Sequence, residues 1–569
     1  MKNSKKKYLT LAAMTAVMGC LASCGGSDGG NSSKITTVNI MLFNGTAGID
    51  FMNKCTQRFQ ELHKNTSFEE GKTGINFKIR SAKGISFNTE MRTSGDDIFM
   101  YEGVPDIYSL SAQKFLLNLD DIVEPMKDKI EPDLLKRISG NDGSYYALPH
   151  YEWFPGVSYD KDLFDEKNLY FADPSVSIDD KEEYNGNYGK AYFIADKSVT
   201  KSVGPNGIRG DYDDGLPSSL EEFNILCDKM MSDFNISPLL LCGSGTYYSW
   251  YLPIAMWASL TGGDGMRNVY CNWTNQEVEV VTGYSDENIF RSDSGLKKPT
   301  TEKIVLNDEN GYKMYNMANR YYSMAFFEMA LKNEWIDKEQ LANANGTPTE
   351  ADNWFINGHN SKRYGMLWDG SYWCHEAAAE FATYDKVHAS EKTSNVSPRH
   401  ISFMPLPTQL TGQVEEGKGK KPTLMNVGNT VTFANSRVAR NGKEKAVKEF
   451  LKFMYSNDEL AAFSELTGLT APIDYTYDAS KLGNTYYDDL ATYRKDADVI
   501  QCASDSPRFK KNYDSFYMSY GMTLNHFTAP DGTALTDAYL NAMQHYNCDA
   551  KYIFEQTNIT KANWDKMKQ

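Results

Sequence analysis

The hydrophobic pattern that begins at Thr36 predicts a strand, a helix and a second strand in close succession. Residues 37–43 are mostly apolar and end at an Asn-Gly turn. Four apolar residues then recur at helical spacing, namely Ile49, Met52, Phe59 and Leu62. Residues 75–80 alternate apolar with polar side chains, which is typical of a half-buried strand. This β-α-β order predicts an open α/β sheet, whose ligands lie at the carboxyl ends of its strands.

The first 23 residues have the features of a signal peptide. Four lysines precede an apolar run from Tyr8 to Leu21 that is too short to span a bilayer. Leu21-Ala-Ser-Cys24 resembles the lipobox of bacterial lipoproteins, so we expect cleavage after residue 23 and lipidation of Cys24. Residues 24–35 would form a flexible tether. The resemblance therefore implies a lipid-anchored protein on the extracytoplasmic face of the cell membrane.

Length, charge and cysteine spacing narrow the class of protein. The 569 residues are 41% hydrophobic and 24% charged, which is typical of a globular chain with two or more domains. The formal net charge of −16 repels phosphate polymers, so we expect no nucleic-acid partner. The nine cysteines are widely spaced without a C-x-x-C pair, which favours buried small side chains over a zinc site. The sequence leaves open whether one or two disulfides form.

Several short motifs occur in the order in which family 1 extracellular solute-binding proteins of ABC importers carry them. They are Val104–Tyr108, Leu117–Asp121, Gly143–Pro149, Val157–Phe164, Leu216–Phe223, Tyr364–Gly370, Phe403–Pro407 and Thr467–Pro472. The chain therefore resembles the sugar-type members of this family over residues 36–475. The long segment 171–215 and the tail after residue 475 depart from the family pattern.

The resemblance implies a two-lobed α/β fold, of the periplasmic-binding-protein-like type II, with the ligand in the cleft between the lobes. Lobe 1 would comprise residues 36–148 and 420–465. Lobe 2 would comprise residues 149–408 and 466–569, with 171–215 as an irregular surface insertion. The segments that cross between the lobes should fall near 149–156 and 408–424. The family also implies an ABC permease as partner, and we expect a monomer.

Binding a neutral oligosaccharide requires flat apolar surfaces for its C–H faces and polar groups for its hydroxyls. At the expected first crossing, Tyr151, Glu152 and Trp153 combine these groups. Trp153 is a candidate sugar platform and Glu152 a candidate hydroxyl acceptor; the alternative, a hinge aromatic packed in the core, remains open. Replacing Trp153 with alanine is expected to weaken saccharide binding at least about tenfold and to leave the thermal midpoint nearly unchanged.

Two further aromatic clusters are candidates for the same role. Tyr247 and Trp250 precede an apolar helix, in which Trp257 is expected to pack in the core. In the segment 368–373, adjacent strand residues point to opposite faces, which favours Asp369 over its neighbour Trp368. Two more aromatic candidates follow in that segment, Tyr372 and Trp373.

The remaining candidates are polar. Asn44 follows the first strand and would either contact ligand from the opposite lobe or form a turn, and Asn426 and Asn429 have similar alternatives. Asp211–Gly215 faintly resembles a calcium loop, but we interpret its carboxylates as solvated turn residues and expect no metal and no cofactor. Ser218 and Glu221 are predicted to form a helix capping box.

These features predict a solute-binding lipoprotein that captures an oligosaccharide between two lobes and presents it to an ABC permease without catalysis. His375-Glu376 lacks the second histidine of a zinc protease because position 379 is alanine, and residues 412–418 lack the hydroxyl that completes a P-loop. One alternative is a surface-anchored glycoside hydrolase or lyase. Another is the same fold binding a peptide, a polyamine or ferric iron.

Overall fold

The computed structural model describes residues 34–82, 87–101, 107–241, 248–343, 346–391, 396–428, 430–501, 504, 506–511, 527–535 and 539–568. The predicted signal peptide, the lipidation residue Cys24 and two predicted ligand residues, Tyr247 and Asn429, lie outside these ranges. Within the described ranges, no helix combines the length and the apolar composition that a membrane crossing requires.

The strands are numbered in chain order. They are β1 (Thr36–Phe43), β2 (Ile75–Ala82), β3 (Ile98–Tyr101), β4 (Leu148–Pro149), β5 (Pro155–Asp160), β6 (Lys181–Gly186), β7 (Gly189–Ile194), β8 (Ser237–Leu241), β9 (Glu277–Asn288), β10 (Lys297–Val305), β11 (Tyr364–Gly370), β12 (Ile401–Phe403), β13 (Thr423–Asn426), β14 (Val431–Ala434), β15 (Asp498–Gln501), β16 (Phe527–Thr528) and β17 (Ala534–Leu535).

The helices are numbered in the same way. They are α1 (Asp50–Leu62), α2 (Phe87–Thr93), α3 (Ile107–Ala112), α4 (Asp120–Val123), α5 (Pro132–Ile138), α6 (Lys161–Lys167), α7 (Leu220–Phe234), α8 (Tyr251–Thr261), α9 (Gly263–Arg267), α10 (Ala318–Lys332), α11 (Lys338–Ala342), α12 (Pro348–Asn357), α13 (Trp373–Glu376), α14 (Ala378–Val387), α15 (Arg437–Arg440), α16 (Glu444–Met454), α17 (Asn457–Thr467), α18 (Thr485–Asp496), α19 (Pro507–Lys511), α20 (Tyr539–His545), α21 (Ala550–Gln556) and α22 (Lys561–Met567).

The first sheet confirms the strand-helix-strand succession that the hydrophobic pattern predicts. Its strand order is β2-β1-β3-β14-β4. β1 runs parallel to β2 and β3, with Val38 beside Phe77 and Ile40 beside Ile98. β14 is antiparallel to both β3 and β4. Helix α1 packs against β2 and against the later helices α16 and α17, so elements that are far apart in the sequence cover its apolar face.

The second sheet has the order β12-β5-β11-β8. β5 is antiparallel to β11 and β12, whereas β11 and β8 are parallel and therefore end at the same edge. Helix α8 packs on β5 and β11 and is buried along almost its whole length, including Trp257. The expectation that Trp257 is a core residue is thus confirmed.

Within the described ranges, at least three polypeptide segments run between the two sheets. β4 ends at Pro149 in the first sheet, and β5 begins at Pro155 in the second. The chain returns between β12 and β14, and after α17 it leads to α18, which packs on β12. The third segment pairs with the first, because Glu152 N donates to Thr470 O at 2.9 Å. The limits of the two lobes stay a prediction.

The segment 171–215 is more regular and less exposed than the sequence suggests. It contains an antiparallel hairpin of β6 and β7, and Phe171 packs on Phe193 with their rings 4.6 Å apart. The interpretation of the carboxylates in 211–215 as solvated is wrong for Asp213, which has no exposed surface. The loop is buried because it packs against the second crossing segment, where Gly417 N donates to Gly207 O at 2.9 Å.

Two smaller predictions concern a helix cap and the cysteines. The cap of α7 is Ser219, whose hydroxyl accepts from Glu222 N at 3.2 Å, so the predicted box at Ser218 and Glu221 is wrong by one residue. The cause is the extended backbone of Ser219, which delays the first helical turn. The described cysteines are buried and unpaired, as expected: Cys55, Cys227, Cys271, Cys374 and Cys548.

Candidate ligand site

Five aromatic side chains meet where the first crossing segment reaches the second sheet. The ring of Trp153 lies 5.3 Å from that of Tyr251 and 5.0 Å, edge to face, from that of Tyr372. Tyr251 also contacts Tyr248 at 5.0 Å and Trp250 at 4.6 Å, again edge to face. We call these five residues the ring cluster. Such tilted and edge-to-face pairs are the favoured aromatic geometry, so the rings hold one another in place.

The exposure of the five rings divides the cluster into two parts. Trp153 is only 6% exposed, and Tyr251 and Tyr372 are also buried. Tyr248 and Trp250 are half-buried and present ring surface to solvent. The buried rings therefore support the two outer rings. The outer rings offer flat apolar surface of the kind that a sugar requires.

Backbone contacts place the cluster at one edge of the second sheet. β11 ends at Gly370, and the next residue, Ser371, donates its N–H to Phe154 O at 2.7 Å. Ser371 Oγ in turn accepts from Phe154 N at 3.0 Å. These bonds tie the first crossing segment to the carboxyl end of β11, the edge at which ligands of α/β sheets lie.

Two glycines permit the close approach of backbone to these rings. A Cβ atom at Gly428 would collide with the indole of Trp153, and one at Gly370 would collide with Tyr372. Gly428 belongs to the second crossing segment. Trp153, on the first crossing segment, is therefore held between the second crossing segment and the second sheet.

The ring cluster contains two buried phenols, and the carboxyl group of Asp369 acts electrostatically on one of them. The hydroxyls of Tyr251 and Tyr372 lie 3.3 Å apart. Burial, together with the nearby Tyr251 and Asp369, raises the pKa of Tyr372, which therefore stays a neutral phenol at physiological pH. Asp369 is buried and accepts a hydrogen bond from Gly370 N. Burial and the charge of Asp369 raise the pKa of Asp352 on α12.

Glu152 points away from the ring cluster, towards the third crossing segment and helix α18. Its carboxylate is buried and accepts from Arg494 Nε at 2.7 Å and from Thr470 Oγ1 at 3.1 Å. Arg494 Nη2 also donates to Glu131 at 2.9 Å. We call Glu131, Glu152, Thr470 and Arg494 the hinge clamp. The charge of Glu152 raises the pKa of Arg494, so the guanidinium stays charged.

Three other predicted residues also lie in the interior. Tyr151 is buried and stacks on Phe463, with the rings 6.0 Å apart. Trp373 is fully buried on the far side of the second sheet, and its indole N–H donates to Ser158 Oγ at 2.7 Å. Asn426 donates to Gln501 Oε1 at 2.7 Å and joins β13 to β15. Ligand contact by these residues and by Glu152 stays a prediction.

The first sheet presents a smaller group at the carboxyl ends of its parallel strands. Phe43 ends β1 and Tyr101 ends β3, and their rings meet edge to face at 6.5 Å. Asn44 follows directly, and all three residues are half-buried. This is the edge at which the sequence analysis places Asn44.

The structure thus brings together Trp153, Trp250 and Tyr372 of the predicted residues. It adds Tyr248 and Tyr251, which the sequence analysis missed although they flank Trp250 in one aromatic run. It also adds Phe43 and Tyr101, for which the available signal is an aromatic residue at the last position of a strand.

No family model matches the sequence, and no curated protein matches it. Solved structures do match. A chitin oligosaccharide binding protein has a TM-score of 0.53 at 13% identity, over 94% of this chain and 99% of that chain. The apo form of RafE from Streptococcus pneumoniae has 0.51 at 11%, over 94% and 99%. Maltose-bound MalE3 from T. maritima has 0.50 at 12%, over 94% and 99%.

At identities this low the likeness shows the fold. The expected two-lobed α/β fold is confirmed. The likeness extends over nearly the whole length of these neighbours, so both lobes are included.

Proposed function

We propose that the chain is the extracytoplasmic substrate-binding lipoprotein of an ABC importer and that it captures an oligosaccharide between its two lobes. The ring cluster is the observation that carries the proposal. It sets two half-exposed rings, Tyr248 and Trp250, on a foundation of buried rings at the carboxyl edge of the second sheet. The similar structures named for chitin oligosaccharide and maltose support the same ligand class.

The proposed capture uses two groups of residues on different sheets, the ring cluster on the second sheet and a smaller group on the first. A sugar would first stack on the ring cluster, and Asn44, Phe43 and Tyr101 would then close over it from the first sheet. A closed arrangement is favoured only to the extent that the ligand gains contacts with the second group. The permease would recognise the closed form, so that affinity and delivery depend on the same contacts.

Catalysis is not part of this proposal. The proposal gives the rings a binding role alone, so the ligand should leave the protein intact. Incubating the protein with each bound oligosaccharide and assaying new reducing ends tests this directly. Their appearance would favour a glycoside hydrolase instead.

The anchor is proposed from the lipobox. Lipidation of Cys24 would hold the folded lobes at the membrane through the tether 24–35. Mass spectrometry of the amino-terminal peptide should show a diacylated Cys24, and Cys24→Ser should release the protein from membranes.

The ligand class is tested by thermal shift with defined chito-, malto- and xylo-oligosaccharides and raffinose. One class should raise the thermal midpoint, because a ligand that binds only the folded state stabilises it. Small-angle scattering with that class should show a more compact particle. If no saccharide stabilises or compacts the protein, the proposal fails; a visible charge-transfer band with ferric iron would favour the iron-binding alternative.

A further inference from the structure

Three carboxylates converge in the loop that precedes α7. Asp211, Asp213 and Asp214 each offer one oxygen, and these oxygens all lie within 4.8 Å of one another. The loop is fixed from both sides: Asp211 accepts from Asn206 Nδ2 at 2.7 Å, and Asp214 accepts from Gly210 N at 2.8 Å. The carboxylates are thus held close together despite their mutual repulsion.

The buried oxygens of this loop are not all satisfied. Asp213 has no exposed surface; its Oδ2 accepts from Asn206 N at 2.9 Å. Its Oδ1 and the Oδ1 of Asp214 are buried and have no hydrogen-bond partner within the described part of the chain. An unpartnered buried carboxylate oxygen is costly unless a cation or a proton meets it.

The three carboxylates lack direct ion pairs. In the described ranges, none of the three carboxylates forms an ion pair with lysine or arginine. Arg209 is nearby but binds Asp173 and Glu416, and Lys201 lies over the ring of Tyr170, 3.2 Å from its centroid. The loop therefore holds three carboxyl groups with which no lysine or arginine of the described residues pairs directly.

We infer that Asp211, Asp213 and Asp214 form a binding site for one divalent cation, and that calcium is the cation it takes. Oxygens on opposite sides of Ca²⁺ stand about 5 Å apart, which accommodates three oxygens within 4.8 Å of one another. Mg²⁺ has shorter bonds and demands near-ideal octahedral geometry, whereas Ca²⁺ accepts six to eight oxygens in flexible arrangements, with water completing its shell. An all-oxygen donor set also disfavours zinc.

The position of the loop indicates what the cation would do. Tyr212 lies between two of the ligands, and its hydroxyl donates to Asp496 on α18 at 2.6 Å. Thr408 Oγ1 donates to Pro205 O at 3.1 Å. A bound cation would therefore hold the segment 171–215, α18 and the second crossing segment together. This inference is independent of the proposed sugar binding.

The test uses the purified full chain, stripped with a chelator, and two probes, terbium and calcium. Terbium luminescence excited through tyrosine should appear, because Tyr212 adjoins the site, and calcium should displace the terbium. Calorimetry should give one calcium per chain with Kd at or below about 10⁻³ M. Saturating calcium should raise the thermal midpoint by about 2–5 °C.

Two matched double variants remove the same charge from different places. Asp213→Asn with Asp214→Asn should weaken calcium binding more than about tenfold. Asp179→Asn with Asp180→Asn, both exposed in the same segment, should bind calcium as the unchanged protein does. Asp214→Asn alone, at a half-buried position, serves if the first variant does not fold.

Three results would overturn the inference. They are a stripped protein that binds neither terbium nor calcium, a folded Asp213/Asp214 variant that keeps calcium affinity, and equal displacement of terbium by magnesium and calcium. The measurements on the unchanged protein decide the question even if every variant at the site unfolds.

Discussion

The hinge clamp and the ring cluster meet at adjacent residues of one segment, yet the clamp consists of charged and polar groups and the cluster of neutral rings. Glu152 enters the clamp as a buried charge that meets Arg494, whereas Trp153 enters the cluster as a neutral ring among tyrosines. In extended backbone, adjacent side chains point to opposite sides, so one short segment supplies both regions.

The comparison separates the residues that stabilise the fold from the residues proposed to recognise the ligand. The clamp joins three distant parts of the chain by charged hydrogen bonds, and loss of one partner leaves a charge stranded in the interior. The cluster keeps its outer rings accessible, so an outer ring can be removed at smaller cost to folding. Five variants test this division, beginning with the one that is expected to lower stability most.

Arg494→Ala should lower the free energy of unfolding by about 3–5 kcal/mol, because it strands the carboxylate of Glu152. Urea denaturation measures the change. Lys561→Ala removes an exposed ion pair with Asp565 and should leave the free energy of unfolding nearly unchanged. A loss below 1 kcal/mol for Arg494→Ala would remove the distinction between the clamp and a surface pair.

His150, which precedes both regions on the same segment, should make folding sensitive to acid. Burial lowers its pKa to about 3, against about 6.5 in the unfolded chain. Between these values the unfolded state binds the extra proton, so stability falls as pH falls from 6.5 towards 3. From pH 7 to pH 5 the unchanged protein should lose about 2 kcal/mol more than His150→Leu. Parallel pH dependence in the two proteins, measured by urea denaturation, would contradict the assignment.

Trp250→Ala should weaken saccharide binding at least tenfold, about 1.4 kcal/mol, with a modest loss of stability. The matched control is Trp273→Ala, a half-buried tryptophan elsewhere that donates to Asp308. Calorimetry with the saccharide that stabilises the protein gives both affinities. Similar affinities for the two variants would exclude Trp250 from the site.

The burial of Trp153 explains why Trp250 is the sharper test. Truncating a buried tryptophan costs about 3–5 kcal/mol, so Trp153→Ala should lower the thermal midpoint as well as affinity. The sequence-based expectation of an unchanged midpoint is revised for this reason.

Asn44→Ala should have the smallest effect, a weakening of binding by about threefold, since one neutral hydrogen bond contributes about 0.5–1.5 kcal/mol. Asn53→Ala, exposed on α1, should leave affinity unchanged. A tenfold loss for Asn44→Ala would make the first sheet an equal partner of the ring cluster.

Local patterns were sufficient to predict β1, α1 and β2 and the buried position of Trp257, whereas the contact between Trp153 and Tyr372 was not predicted. They failed where burial depends on distant residues. Glu152 reads as a free acceptor until Arg494, far along the chain, is brought to it. Asp213 reads as solvated until the second crossing segment covers its loop. Partners of this kind leave no signal in the local sequence.

Three segments at the joint also constrain how the lobes can move. A single connection would let the two bodies swivel in any direction, whereas three connections attached at separate points resist torsion and leave bending as the easy motion. We therefore expect the lobes to open and close mainly by bending about the joint, so that Asn44 returns to the same position relative to the second sheet in every cycle.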